Sequence, residues 1–264
     1  MKFSRRMLFA QVAPLGSLVA LHAQEAQSEK SKTGNAPRRW GAAPTAEYTP
    51  QRVMLGWIGD PARSQAVTWR TAKAAETPQV QFALASANPD FIKSATTVQG
   101  KSGSLDTGNG VTIATYRANL EGLRADTRYH YRVGDGKNWG EWSTFHTASD
   151  QPKRFRFLYV GDAQNDIKSR WSRVIRAAYT RAPRAAFIVH AGDLVASGYR
   201  DDLWGEWYDS MGFIAENIPA LPVVGNHELE KPSGAPKTLA LPAIWKQQFA
   251  YPANGPDIPE NESY

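Results

Sequence analysis

Six residues of this 264-residue chain combine types and spacings that could do chemistry: Asp162, Gln164, Asp193, Asn226, His227 and Glu228. They fall in three groups, each led by glycine: Gly161-Asp162-Ala163-Gln164, Gly192-Asp193 and Gly225-Asn226-His227-Glu228. Asp162 and Asp193 are 31 residues apart, and Asp193 and Asn226 are 33 apart, the length of one strand plus one helix. Carboxylate and amide oxygens are hard donors that suit divalent cations. A carboxylate can bridge two ions, and Asp193, on the middle segment, is the natural bridge. Two ions about 3.5–4 Å apart hold a hydroxide and clamp a phosphoryl group for in-line attack. His227 beside a ligand could contact phosphoryl oxygens or protonate a leaving group. The rival reading, three helix N-caps, explains the Asp and Asn residues but leaves His227-Glu228 without a role. With no cysteine in the chain, thiolate ligands, cysteine nucleophiles and disulfides are excluded.

Strand ends must deliver these groups. Residues 155–160, 185–190 and 220–224 are apolar runs of strand length. Ile167, Trp171, Val174, Ile175, Ala178 and Tyr179 recur at helical spacing between the first two runs. A second helix is expected over 201–218, opening on Asp201-Asp202, which suit a helix N-terminus. The order β-α-β-α-β predicts parallel strands joined by right-handed crossovers. Ligands then gather beyond the carboxyl ends of the strands, where a glycine lets the chain turn sharply. His190 reads as a buried histidine hydrogen-bonded beside the site, with direct ligation as the alternative. Pro-rich 231–259 reads as loop with a short helix near 244–249, part of a substrate rim.

Ahead of this unit the period differs. Residues 53–58, 66–70, 80–85, 111–116 and 142–147 are short β-rich segments, and Tyr129, Tyr131 and Val133 alternate with His130 and Arg132. About seven strands in roughly a hundred residues predict a β-sandwich. The tyrosines and tryptophans read as core, and His130 and His146 as surface or cross-strand residues. At the N-terminus, Lys2, Arg5 and Arg6 precede apolar 8–23, and Ala23 offers a cleavage site: an export signal. Ser4-Arg5-Arg6 resembles a twin-arginine signal, with general secretion as the alternative. The formal charge of +6 falls to +3 without Lys2, Arg5 and Arg6, a poor match for a nucleic-acid partner. The cations of 168–184 interleave with apolar residues as on a solvated helix.

The run Leu123, Thr127, Tyr129, Tyr131 resembles the fibronectin type III signature. With Trp69-Arg70-Thr71, Arg132-Val133-Gly134 and Trp142-Ser143 it resembles more closely the N-terminal domain of purple acid phosphatases. The three glycine-led groups resemble the calcineurin-like metallophosphoesterase superfamily, whose motifs run Asp-x-His, Gly-Asp, Gly-Asn-His-Asp/Glu and then two later histidine motifs. The resemblance implies that Asp162 binds the first metal, Asp193 bridges, Asn226 binds the second and His227 acts on substrate. It implies that Glu228 orients His227. Gln164 stands where many members have a histidine ligand; its oxygen either coordinates or supports a ligand from behind. Purple acid phosphatases carry Gly-Asp-x-x-Tyr, but Ala196 occupies that tyrosine's place and Tyr199 comes three residues later. The resemblance therefore implies no ferric-tyrosinate chromophore. His227 is the last of five histidines, so the later histidine motifs have no counterpart in this sequence.

The expected architecture is mixed: an all-β, fibronectin type III-like sandwich over 48–148, then an incomplete α/β metallophosphoesterase domain over 153–264, the β-α-β-α-β half. Residues 1–23 are expected to be a signal peptide and 24–47 a linker. The expected function is hydrolysis of phosphomonoesters by a periplasmic or secreted enzyme using two divalent metal ions, Mn, Zn or Fe. The expected partner is a small phosphate ester, with no nucleic acid and no membrane after signal removal. The alternative is a truncated or degenerate non-catalytic product whose β-sandwich is a binding module. The chain alone is expected to be weakly active at best, since its candidate ligands are all oxygens and only Asp162 and Asp193 are anionic.

Overall fold

The computed structural model describes residues 47–108, 110–229 and 240–252. The expected signal, nearly all of the expected linker and much of the expected 231–259 loop lie outside the described residues.

The β-rich half is a sandwich of two antiparallel sheets. One sheet runs β1 (Gln51–Gly56), β2 (Gln65–Thr71), β6 (Thr112–Leu120), β5 (Lys101–Asp106). The other runs β4 (Thr96–Gln99), β3 (Gln79–Leu84), β7 (Arg128–Gly134), β8 (Ser143–His146). Tyr129, Tyr131 and Val133 turn inward as the alternation predicts, against Trp69, Tyr116 and Phe145. His130 and His146 lie outside this core, as expected: His130 stacks on Phe91 with centroids 4.4 Å apart, and the His146 Nδ1 lies 2.9 Å from its neighbour's carbonyl, Thr147 O.

The structure has eight strands here, against about seven expected. β4 and β5 escape a sequence reading because both are largely exposed and polar. Gly100 joins them and carries the chain from one sheet to the other. A Cβ there would stand 2.8 Å from the Trp69 ring, so only glycine fits this corner.

The following half is a parallel sheet of three strands, β9 (Leu158–Val160), β10 (Ile188–Ala191) and β11 (Ala220–Val223), with β10 in the middle. One π-helical turn, Ile167–Trp171, leads into α1 (Ser172–Arg181). Between β10 and β11 run α2 (Asp201–Met211) and α3 (Phe213–Asn217), and α4 (Ala243–Gln248) follows β11. The single helix expected over 201–218 is divided because Gly212 adopts φ +52° and ψ −137°, a conformation that favours glycine and ends α2. The strand expected over 155–160 is shortened to β9, an edge strand hydrogen-bonded on one side. Phe155 and Phe157 lie outside the sheet and are exposed.

The α/β core is built around α2, where Trp204, Trp207 and Met211 are wholly buried with Trp245 of α4. Met54, Leu105 and Ile113 of the first sandwich sheet belong to the same core. Next to Met54, Leu55 points into the sandwich core instead. The first sheet is thus covered on both faces, and its alternation serves two cores. Its polar edge adds an ion-pair cluster: Asp201, at the start of α2, accepts from Arg52 at 2.7 Å and from Arg70 at 2.8 Å. α3 docks on the second sheet, where Glu216 Oε2 accepts from Ser143 at 2.6 Å and Asn217 Oδ1 accepts from the Thr144 hydroxyl at 2.9 Å.

His190, in β10, is 1% exposed and packs edge-on to Trp207, with centroids 5.1 Å apart. The expected hydrogen bond is not made at Nε2, which is buried without a partner. Burial lowers its pKa from 6.5 to about 3. Between those values the unfolded chain binds a proton that the fold refuses. Stability therefore falls on acidification through that window, by up to about 1.4 kcal/mol per pH unit. His190→Leu should remove this component, so the fall in urea midpoint between pH 6.5 and pH 4.5 should be smaller than in the parent. Equal falls in the two proteins would refute it.

Candidate metal centre

The three glycine-led groups follow the three parallel strands directly, so they emerge at one end of the sheet. Two of them turn by the same device. Asp162 and Asp193 occupy the left-handed region, with φ +52° and +53°, and Gly192 before Asp193 has φ +81°. For a residue with a Cβ this conformation costs about 1–2 kcal/mol and persists only where surrounding bonds impose it.

Those bonds are visible. Asp162 N donates to Gly192 O at 3.2 Å, and Gln164 N donates to Asp193 O at 3.1 Å, tying the first tip to the second. His227 N donates to Asp193 Oδ1 at 3.0 Å, tying the third to the second. The Gln164 amide nitrogen lies 3.4 Å from Asp193 Oδ2. Asp193 thus touches both flanking groups, while Asp162 and Asn226 stand exposed on theirs. Glycine is required where the tips meet. A Cβ on Gly192 would stand 2.8 Å from Gly225 Cα, and one on Gly225 would collide with the Asp193 amide nitrogen and Oδ1.

Glu228 does something other than orient His227. Its wholly buried carboxylate accepts four backbone N–H bonds, from Asp193 (2.9 Å), Leu194 (2.8 Å), Val195 (3.2 Å) and Gly225 (2.8 Å). Burial pushes its pKa above the ordinary carboxylate value, and the four donors oppose that rise. It is a clamp between the second and third tips. The correction has a geometric reason: the side chain turns inward, under the loop, and no longer reaches the neighbouring imidazole's ring nitrogens.

His227 is oriented instead by the Ala196 carbonyl, 3.1 Å from Nδ1. A carbonyl only accepts, so Nδ1 carries the hydrogen and Nε2 is left for chemistry. Gly198 N donates to His227 O at 3.0 Å, fixing the backbone of the same residue. Sequence reasoning missed the Ala196 carbonyl because main-chain oxygens carry no residue signature. The Glu228 clamp had one legible clue, a carboxylate three residues after Gly225, the reach of a local side-chain cap. Tyr199, three residues beyond Ala196, donates its hydroxyl to Ala240 O at 2.9 Å and so ties this loop to the segment leading into α4.

The residues present fit a hard divalent cation through oxygen. Gln164 Oε1 is buried without a hydrogen-bond partner, an oxygen of the kind a hard cation takes. Among the described residues, no three His, Cys, Asp or Glu side chains cluster as a ready metal cage. Any donor set there would have to come from the two carboxylates and the amides of Gln164 and Asn226.

Residues 50–147 match the family model for the purple acid phosphatase N-terminal domain, and residues 155–258 match that for the calcineurin-like phosphoesterases. Among solved structures, the purple acid phosphatase PPD1 from yellow lupin (Lupinus luteus) seeds superposes with a TM-score of 0.63 at 16% identity, over 79% of this chain. The chain spans 42% of that protein's length. The structure of PhoD matches 71% of this chain and 41% of its own, with 14% identity and a TM-score of 0.49. No curated protein matches by sequence.

Two substitutions test the weave. Gly225→Ala should cost about 1–3 kcal/mol, because the methyl group must displace the backbone of Asp193. Glu228→Ala strands four buried N–H donors and should cost more, about 3–5 kcal/mol. Urea unfolding of both variants checks the order; a Glu228→Ala protein as stable as the parent would remove the clamp.

Proposed function

We propose that this chain, which joins a purple acid phosphatase N-terminal domain to a calcineurin-like phosphoesterase domain, hydrolyses phosphomonoesters at the tips of β9, β10 and β11. What supports this reading is the weave itself: Asp193 bonded to both neighbouring tips, beside the unpartnered oxygen of Gln164. Asp162, Gln164, Asp193 and Asn226 would hold two divalent ions, with Asp193 between them. When bound, such ions lower the pKa of water and neutralise charge on phosphoryl oxygens.

The chain's own residues supply the rest. Asp193 arrives preoriented, because its Oδ1 is fixed by His227 N. Glu228 holds the second and third tips at constant separation, which keeps donors on both in register with one substrate. His227, held through Nδ1 by Ala196 O, presents Nε2 to a phosphoryl or leaving-group oxygen and, when doubly protonated, can give that oxygen a proton. The oxygen donors offer two negative charges against four on two divalent ions, and no histidine follows His227 in this sequence to add imidazole. The chain by itself is therefore proposed to be a weak catalyst. Export through the basic, apolar N-terminus is part of the proposal. Among the described residues, no helix is long and apolar enough to cross a membrane.

Metal analysis with p-nitrophenyl phosphate turnover tests this reading. Asp193→Asn should lower metal content more than Asp162→Asn does, because a bridge serves both ions; equal losses would remove the bridge. His227→Ala should keep its metal while turnover drops about 100-fold. Loss of metal in that variant would make His227 a ligand. Iron-loaded protein should show no visible tyrosinate band, since Ala196 stands in the tyrosine's place and the Tyr199 hydroxyl is engaged with Ala240 O. A chain that binds no divalent metal and has no turnover would favour the binding-module alternative.

A further inference from the structure

We propose that the seam between the β-sandwich and the α/β layer holds one small monovalent anion of the halide class, in a cavity between Arg70 of β2 and Gln248 of α4. The cavity measures about 20 Å³ and is walled also by Arg52, Thr68, Trp69 and Leu105. That volume admits one water-sized occupant and no more, since a single water needs about 10–15 Å³. A sulfate, a phosphate or a carboxylic acid is too large.

Three observations select an anion. The first is charge. Arg52 donates to both carboxylate oxygens of Asp201, at 2.7 and 3.1 Å, and to its carbonyl at 2.7 Å; Arg70 donates to Oδ1 at 2.8 Å. Two guanidiniums share one carboxylate, leaving one positive charge on a cluster whose side chains are only 9–17% exposed. A guanidinium cannot shed its proton to relieve this. Asp209 and Glu216 line a separate, open groove that the two arginines also border, where water screens them.

The second is an orphaned donor. Arg70 Nε is buried and has no hydrogen-bond partner, although Arg70 lines the cavity. A buried N–H on a charged group is among the costliest groups to leave unmet. The third is the Gln248 amide nitrogen, a second donor buried without a partner at the same cavity. A water could use both ends of that amide and an anion only its nitrogen, but an anion alone balances the guanidinium charge. A halide is spherical, accepts N–H donors from any direction, and tolerates an apolar neighbour such as Leu105. The seam is built for rigidity at this point: Thr68 Oγ1 donates to Gln248 O at 2.8 Å, and Arg117 caps the end of α4 through Phe249 O at 2.8 Å. Arg52 itself is held with φ +50° at an irregularity in the β1–β2 register.

An anion here would link β2, the start of α2 and α4, and so bind the folded chain only. Its occupancy should stabilise by mass action. Full-length chain should melt at a higher temperature in sodium chloride or bromide than in sodium gluconate of equal ionic strength, the gluconate ion being too large to enter. The difference should vanish in Arg70→Lys, which keeps the charge but lacks the Nε–H. Crystals of the parent grown in sodium bromide should give an anomalous bromide peak between Arg70 Nε and the Gln248 amide. Equal melting temperatures in the three salts for the parent, or water density without an anomalous peak, would overturn the proposal, whatever the folding of the variant.

Discussion

A single buried carboxylate sets the distance between two strand tips. Glu228 sits at the end of β11, yet three of its four hydrogen bonds go to the backbone that follows β10, at Asp193, Leu194 and Val195. The fourth returns to Gly225. Such a bond set requires the two loops to approach until the Gly192 and Gly225 backbones are in contact, which no side chain at either place would allow. The left-handed conformations of Asp162 and Asp193 follow from the same crowding, because each must turn at once from the strand direction while staying bonded to its neighbour. The exposed side chains of Asp162 and Asn226 are thereby carried on a hydrogen-bonded base. That base is formed by main-chain hydrogen bonds to a group with no direct part in the proposed chemistry.

The sandwich contributes to this base indirectly. Its first sheet gives Met54, Leu105 and Ile113 to the core built around α2, so the sandwich completes the apolar interior of the α/β layer. α2 begins at Asp201, which two arginines of the sandwich hold. Between β10 and α2 lies the loop with Ala196 and Gly198, the two backbone groups that orient His227. The position of the imidazole is thus linked, through one short loop and one helix start, to ion pairs at the far side of the α/β layer. A charge-balanced seam would serve that linkage, because an uncompensated guanidinium at Arg70 would favour opening to solvent.

Much of this was legible in the residues themselves. Composition and alternation specify a sandwich followed by a β-α-β-α-β unit, because burial on one face or two imposes periods of two or continuous apolar runs. Three glycines, each followed by an oxygen donor at intervals of about one βα unit, point to a shared rim, since parallel strands must all end on the same side. What failed was local. β4 and β5 carry no apolar alternation because they lie exposed at sheet edges. Residues 155–157 are apolar enough for a strand but form no ladder, Arg156 O accepting a single bond from Ala186 N, and pairing decides a strand. The break at Gly212 depends on a backbone angle that glycine permits without demanding.

By itself, then, the sequence determined a sandwich followed by a β-α-β-α-β unit and the six residues at its strand ends, all of which depend on short-range spacing and on burial. Only the tertiary structure decided what those residues touch. Glu228 became a clamp instead of a partner of His227, Ala196 became the group that sets the imidazole tautomer, and Gln164 Oε1 was left buried without a partner. Each outcome turns on hydrogen bonds between loops about thirty residues apart, or on main-chain atoms common to every residue. Hydrogen bonds need ångström-level placement that spacing along a chain cannot specify.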